Sequence, residues 1–498
     1  MARKSGRSRG CEPCRRQKMK CDERQPECLQ CVRRGRKCPG PLQGLIVFKT
    51  DPTNPTKFRR VLETEDPSPI SGIQSQLAPS AGPNSDRALI STNPDPFSSM
   101  KIPLTHRTNA HFQHFMVHTV KCCWPFQPEL LGLWCGKQAT SQPAIFYGIL
   151  SMSASHRFHL DTNSPYGNQW RVQALEFRSK MILDVQTTVN RIEASNAEFA
   201  ATMIAWLISG EASNANVPEM DIHMAGLQRL IQFAGGFDSL DMSTISFLIG
   251  VDILWAAVKC TAPSLPLPSK YLTYALNHPI LTIYDSDLSD AEITGSLKHR
   301  MSQTLGSRFL DAPWSTHLDR PLKVAIWNFC TLITHYETDR IRPAHERIVS
   351  YTDNNPWSVS QRHILTLSYD NLGPTDINEP LRRSMLAYSM ARYCSFGAFP
   401  CMDLVAGTLR EALEPRIAVF YSVAPDLLFW ILFVGALTAR PISEHYQWYC
   451  AGLAGVASGL GLVAWRDARP VLEQFLYVHR LSDRSVDRVW RDVSTQTM

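Results

Sequence analysis

The sequence predicts an all-α chain in three parts: a small N-terminal module built around six cysteines, a flexible linker, and a large helical domain. Three observations carry this reading. Six of the 14 cysteines fall within residues 1–40. Residues 41–105 are rich in Pro, Ser, Thr and Asn, with few apolar residues after Phe48, so this span cannot bury a core. From residue 106 to 498, apolar residues recur at spacings of three and four, the period of a helix that buries one face.

In the first part the cysteines stand at Cys11, Cys14, Cys21, Cys28, Cys31 and Cys38, and the second three repeat the first at an offset of 17. Arg16 and Lys20 in the first half align with Arg33 and Lys37 in the second, which predicts two like half-sites. Each C-x2-C pair suits the start of a short helix, where two thiolates one turn apart grip one ion near free backbone N–H groups. Pro13 suits a first helical turn and Gly35 the end of the second helix. Tetrahedral zinc takes four thiolates, so six cysteines either close one site with two left over or close two by sharing two ligands. Sharing is the more economical arrangement.

A disulfide framework is the rival use of six cysteines. Residues 1–9 carry no apolar stretch of the kind that opens a signal peptide, and the other eight cysteines (122, 123, 135, 260, 330, 394, 401 and 450) lie scattered among apolar residues. Both point to a reducing compartment and to structural zinc, two ions.

Charge separates this module from the rest. Residues 1–40 hold thirteen Lys or Arg against four Asp or Glu, a net of +9, whereas the whole chain is +6. The remainder is therefore slightly acidic. Six thiolates and two zinc ions together subtract two charges, which leaves about +7, enough to attract a phosphate backbone strongly and in a salt-dependent way. Nucleic acid is the expected partner.

The cysteine spacing with its interleaved basic run resembles the fungal binuclear zinc cluster, the DNA-binding module of a large class of fungal transcription regulators. The resemblance implies that Cys11 and Cys28 bridge the two metals, one ion held by Cys11, Cys14, Cys21 and Cys28 and the other by Cys11, Cys28, Cys31 and Cys38. It implies that Lys18, four positions after the second cysteine, reads a CGG triplet in the major groove, and that Arg15 and Lys20 contact phosphate. Pro26 matches the loop proline of the family; Gln17 departs from the basic residue usual at its position; Met19 is expected to pack between the metal sites. A nuclear regulator of RNA polymerase II transcription, with double-stranded DNA as its partner, is the implied function.

After many such modules a coiled coil sets dimer spacing, but here Pro52, Pro55, Pro67 and Pro69 interrupt any heptad. The chain is expected to bind as a monomer or to form a homodimer through its C-terminal part.

In that part, Phe112, Phe115, Met116 and Val120 mark one helix, Val172, Leu175, Met181, Ile182 and Val185 a second, and Phe199, Met203, Trp206 and Leu207 a third. Ser195 with Glu198 predicts a capping box ahead of the third. Residues 143–150, 223–231 with Gly235 and Gly236, 252–263 and 428–435 resemble in order and spacing the second type of fungal-specific transcription factor domain. Residues 270–380 resemble nothing nameable. The resemblance implies an all-α regulatory domain that docks partners or senses a small-molecule effector.

Three stretches invite a sharper use. His111, His114, His118 and Cys122 fall on one helical face and are a candidate metal stripe, although such a stripe is commonly the polar side of an amphipathic helix. The run 447–465 is near the minimum length of a membrane span, but its four glycines favour a tightly packed core helix, and no membrane is expected. The run 427–439 is too short to span and predicts core. No G-x-S-x-G elbow, phosphate-binding glycine loop or H-E-x-x-H helix is present, so no catalytic residue is assigned and no enzyme is expected. The alternative reading makes the helical part a metabolite-binding or enzymatic domain with the cluster as a secondary nucleic-acid anchor.

Overall fold

A computed structural model describes residues 11–17, 19–22, 28–35, 38, 46–51, 54–62, 101–102, 104–123, 125–277, 305–369, 373–394, 396–480 and 483–496. The chain divides into two compact units, Met1–Leu89 and Ile90–Met498.

In the first unit, two short helices, Glu12–Arg16 and Leu29–Val32, follow Cys11 and Cys28. Within the span read as linker, Ile46–Asp51 pairs antiparallel with Asn54–Leu62, Ile46 opposite Leu62. This hairpin is the one departure from all-α among the described residues. Ile46, Val47, Thr50 and Val61 supply β-branched residues that favour extended backbone, a signal too short to outweigh the prolines around it.

The second unit is built from helix hairpins. Pro143–Leu160 packs on Gly167–Val189, Ala194–Ser213 on Val217–Phe233, and Pro425–Thr438 on Glu444–Gly459. The core runs through Met242–Lys259 and Pro425–Thr438; every residue from Leu427 to Thr438 is buried, as the sequence predicts. Close approach there depends on glycine. A Cβ on Gly435 would lie 2.1 Å from the Tyr449 ring, whose hydroxyl donates to the Ala406 carbonyl at 2.8 Å. By length and composition Met242–Lys259 is apolar enough to cross a membrane, yet 72% of it is buried inside the fold.

Four local expectations are corrected. The run 447–465 is not one helix: the chain leaves the helix at Gly459, turns through Gly461 at φ +69°, and restarts at Trp465. The capping box before Ala194–Ser213 lies two residues upstream of the predicted one; the Asn196 side chain accepts from the Glu193 N–H at 2.9 Å. Glu198 instead accepts from the Asp241 N–H at 3.0 Å, at the start of Met242–Lys259. In Gly167–Val189 the buried face is Gln173, Phe177, Met181 and Val185, a strict i, i+4 series, while Val172 and Leu175 are more than half exposed. Lastly, His111–Cys122 is not a straight polar stripe, because Phe115–Thr119 is a π-turn that rotates the later residues.

A charged network ties the C-terminal segments to the core. Glu337, on Arg320–Arg340, accepts from Arg340 Nε at 2.9 Å, Arg480 Nε at 3.1 Å and the Tyr393 hydroxyl at 3.2 Å, while Arg392 pairs with Asp483. Burial works to raise the Glu337 carboxyl, but the Arg480 and Arg340 guanidinium groups outweigh it and hold the group below the usual carboxylate range. Asp483 behaves likewise, with Arg392 overcoming burial. Because both folded-state values are depressed, their stabilisation is complete above the ordinary carboxylate pKa of about 4 and is lost as pH falls through the folded values. Glu337→Ala leaves the half-buried Arg480 without its anion and is expected to cost about 2 kcal/mol at pH 7, between the surface and the fully buried cases. Urea unfolding checks this, and the gap from wild type should narrow below about pH 4. A variant as stable as wild type at pH 7 contradicts it.

Candidate metal centre and nucleic-acid interface

The repeat in the sequence becomes a repeat in space. Cys11 and Cys28 each sit immediately before a helix, and Cys14 and Cys31 lie one turn inside it. Pro13 occupies the first turn of Glu12–Arg16, where its missing N–H is not needed. Gly35 closes the second helix at φ +59°, in the left-handed region, where a side chain is disfavoured. The Cys28 sulfur caps that helix by accepting from the Cys31 N–H at 3.4 Å, and the Asp22 carboxylate accepts from the Leu29 N–H at 3.3 Å. Asp22 carried no signal in the sequence; it becomes visible only in its contact with the second helix.

The six sulfurs form two sets of four, Cys11, Cys14, Cys21 and Cys28, and Cys11, Cys28, Cys31 and Cys38, each set within 4.8 Å. Cys11 and Cys28 belong to both. The shared edge, Cys11 Sγ to Cys28 Sγ, is 3.5 Å, and the Cys11–Cys31 and Cys14–Cys28 edges are 3.6 and 3.7 Å. A tetrahedron with metal–sulfur bonds of about 2.3 Å has edges of about 3.8 Å, so both sets fit zinc. All six cysteines are buried and none forms a disulfide. Burial pushes the Cys11, Cys14 and Cys31 thiols up to about 12, so they keep their protons at neutral pH until a cation displaces them. Further N–H···S contacts, such as Cys28 N–H to Cys38 Sγ at 3.4 Å, suit sulfur that carries negative charge.

Cations lie outside this sulfur core. Arg16, Lys20, Arg33 and Arg34 are exposed. Met19 is half-buried, its thioether meeting the Arg34 guanidinium. Arg16 and Arg33 are equivalent in the repeat, a sign in the sequence that both half-sites present an arginine outward. Lys18 and Pro26 lie outside the described residues, as does the side chain of Arg15.

The histidine stripe has a different fate. His111 is buried, bonded to Gln173 at 2.7 Å and edge-on to Phe177. His114 meets His156 at 2.9 Å, and burial lowers these two to about 3 and about 4, which keeps both neutral. Among the described residues only the cysteine sets bring three or more ligand atoms together, so the stripe is not gathered into a metal site.

A basic shell around two four-sulfur sets with a shared edge is the architecture of a zinc-cluster DNA-binding module. Residues 9–41 match the family described as the fungal Zn(2)-Cys(6) binuclear cluster domain, which takes two zinc ions, and residues 110–304 match the fungal specific transcription factor domain, of the second type. Two domain families found in fungal transcription regulators thus each match a part of the chain. No curated protein and no solved structure matches it. The phrase 428–435 lies beyond the matched span.

Proposed function

We propose that the protein is a nuclear, sequence-specific regulator of RNA polymerase II transcription that recognises CGG-like half-sites through its cluster. The observation that carries the reading is the pair of four-sulfur sets sharing Cys11 and Cys28 inside a basic shell. In this reading the two zinc ions are structural, since four thiolates fill each coordination sphere and leave no position for water or substrate. Lys18 donates to guanine O6 and N7 in the major groove, and Arg15 and Lys20 hold phosphates that fix the helix in register. No catalytic residue takes part. The helical unit adjusts output, through a homodimer contact or a small organic effector.

Lys18→Ala distinguishes base reading from phosphate binding alone. Binding to a CGG probe should weaken by about 1–3 kcal/mol relative to a scrambled probe, measured by fluorescence anisotropy at fixed salt. An equal loss on both probes would remove Lys18 from base readout.

A further inference from the structure

Between the helices Pro143–Leu160, Gly167–Val189 and Ala194–Ser213 lies a cleft of about 410 Å³, within the size range of small-molecule sites. A second cavity, beside Cys122, Phe247 and Trp357, is about 40 Å³, room for water only. We propose that the larger cleft binds a small amphipathic organic acid. The proposal gives a site and a ligand class to the effector reading of the helical unit, and it is independent of how the cluster reads DNA.

The walls are of two kinds. Met152, Phe158, Leu175, Met181 and Leu207 supply apolar surface, and Leu175 is 55% exposed although it is a leucine in a folded helix, because it faces this open space. Polar groups converge beside them. Ser155 Oγ donates to Asn214 Oδ1 at 2.5 Å, His159 Nε2 is 3.1 Å from the same oxygen, and the Arg178 guanidinium is held by buried Glu211, which also accepts from Asn216 at 2.7 Å. This network fixes the polar wall in place without a ligand.

Gly210 is the most informative residue. It lies inside Ala194–Ser213, where glycine is the least favoured residue after proline. No packing demands it: a Cβ built there meets nothing within 4 Å. The neighbouring Gly148 is different, since a Cβ on it would press on Met181 Sδ at 2.9 Å. The missing side chain at Gly210 therefore keeps the cleft open.

The acid preference comes from Arg171. It lies two turns before Arg178 on the same helix, lines the cleft, is exposed, and has no hydrogen-bond or ion-pair partner among the described residues. Arg178 is already neutralised by Glu211. An anion seated on the arginine wall pairs with Arg171 while its apolar body covers Leu175 and Met181. Glu219, on the rim from Val217–Phe233, opposes an anion, which provides a second test of sign.

The test uses full-length, zinc-loaded protein and the fluorescent anion 8-anilinonaphthalene-1-sulfonate as probe, with decanoate as competitor. Saturable binding of one probe per chain, displaced by decanoate, is expected. Gly210→Leu should weaken it more than ten-fold, Arg171→Gln by about five-fold, the scale of one exposed charge pair, and Glu219→Gln should tighten it. Arg171 is exposed, so its variant remains informative if Gly210→Leu proves unstable in a thermal melt. Unsaturable probe binding, unchanged affinity in Arg171→Gln, or weaker affinity in Glu219→Gln overturns the assignment. The readout contains no DNA, so a failure here leaves the half-site reading untouched, and the reverse holds.

Discussion

Removing zinc with a chelator is expected to abolish binding of the protein to a CGG probe, and adding zinc back to restore it. Among the described residues the first unit has little else to hold the cluster. Its two cluster helices are five and four residues long, far below the length at which a helix persists alone in water, and the described residues that cluster in its core are the six cysteines themselves. In such a module the free energy of metal binding is the free energy of folding; apparent values for structural zinc in small peptides are about 10–16 kcal/mol at neutral pH. Burial adds to the effect, since the thiols regain their protons once the cations leave. Electrophoretic mobility shift with and without chelator measures it. Full binding by metal-free protein would contradict the structural role.

The second large effect separates shared from unshared ligands. Cys28 is common to both sulfur sets, whereas Cys38 belongs to one. Cys28→Ser should therefore lower zinc content from two per chain towards none and abolish DNA binding, while Cys38→Ser should retain about one zinc. Native mass spectrometry counts the ions directly. If Cys28→Ser and Cys38→Ser lose zinc equally, the two sites do not share Cys28.

The cluster was legible in the sequence because metal coordination ties chemistry to spacing: the 17-residue repeat, Pro13 and Gly35 each reappear as a predicted local geometry. Helical periodicity likewise foretold the all-α character of the second unit, and continuous apolarity foretold its buried run after Leu427. What the sequence left open is set by tertiary packing. Val172 and Gln173 differ by 100° around one helix, and only the neighbouring helices decide that Gln173 goes inward to His111 while Val172 stays in solvent. The capping box moved because Glu198 is drawn to a helix start 43 residues away. The cleft could not be foreseen at all, since Gly210, Arg171 and Met152 come from three helices whose juxtaposition no local pattern encodes.

The central claim is that the cysteine module reads DNA sequence. Selection from a random double-stranded pool, using the full-length zinc-loaded protein at physiological salt, tests it most directly. Enrichment of CGG triplets that disappears when the chelator is present is the expected result. Recovery of DNA without any enriched triplet, at equal affinity for all sequences, would contradict it.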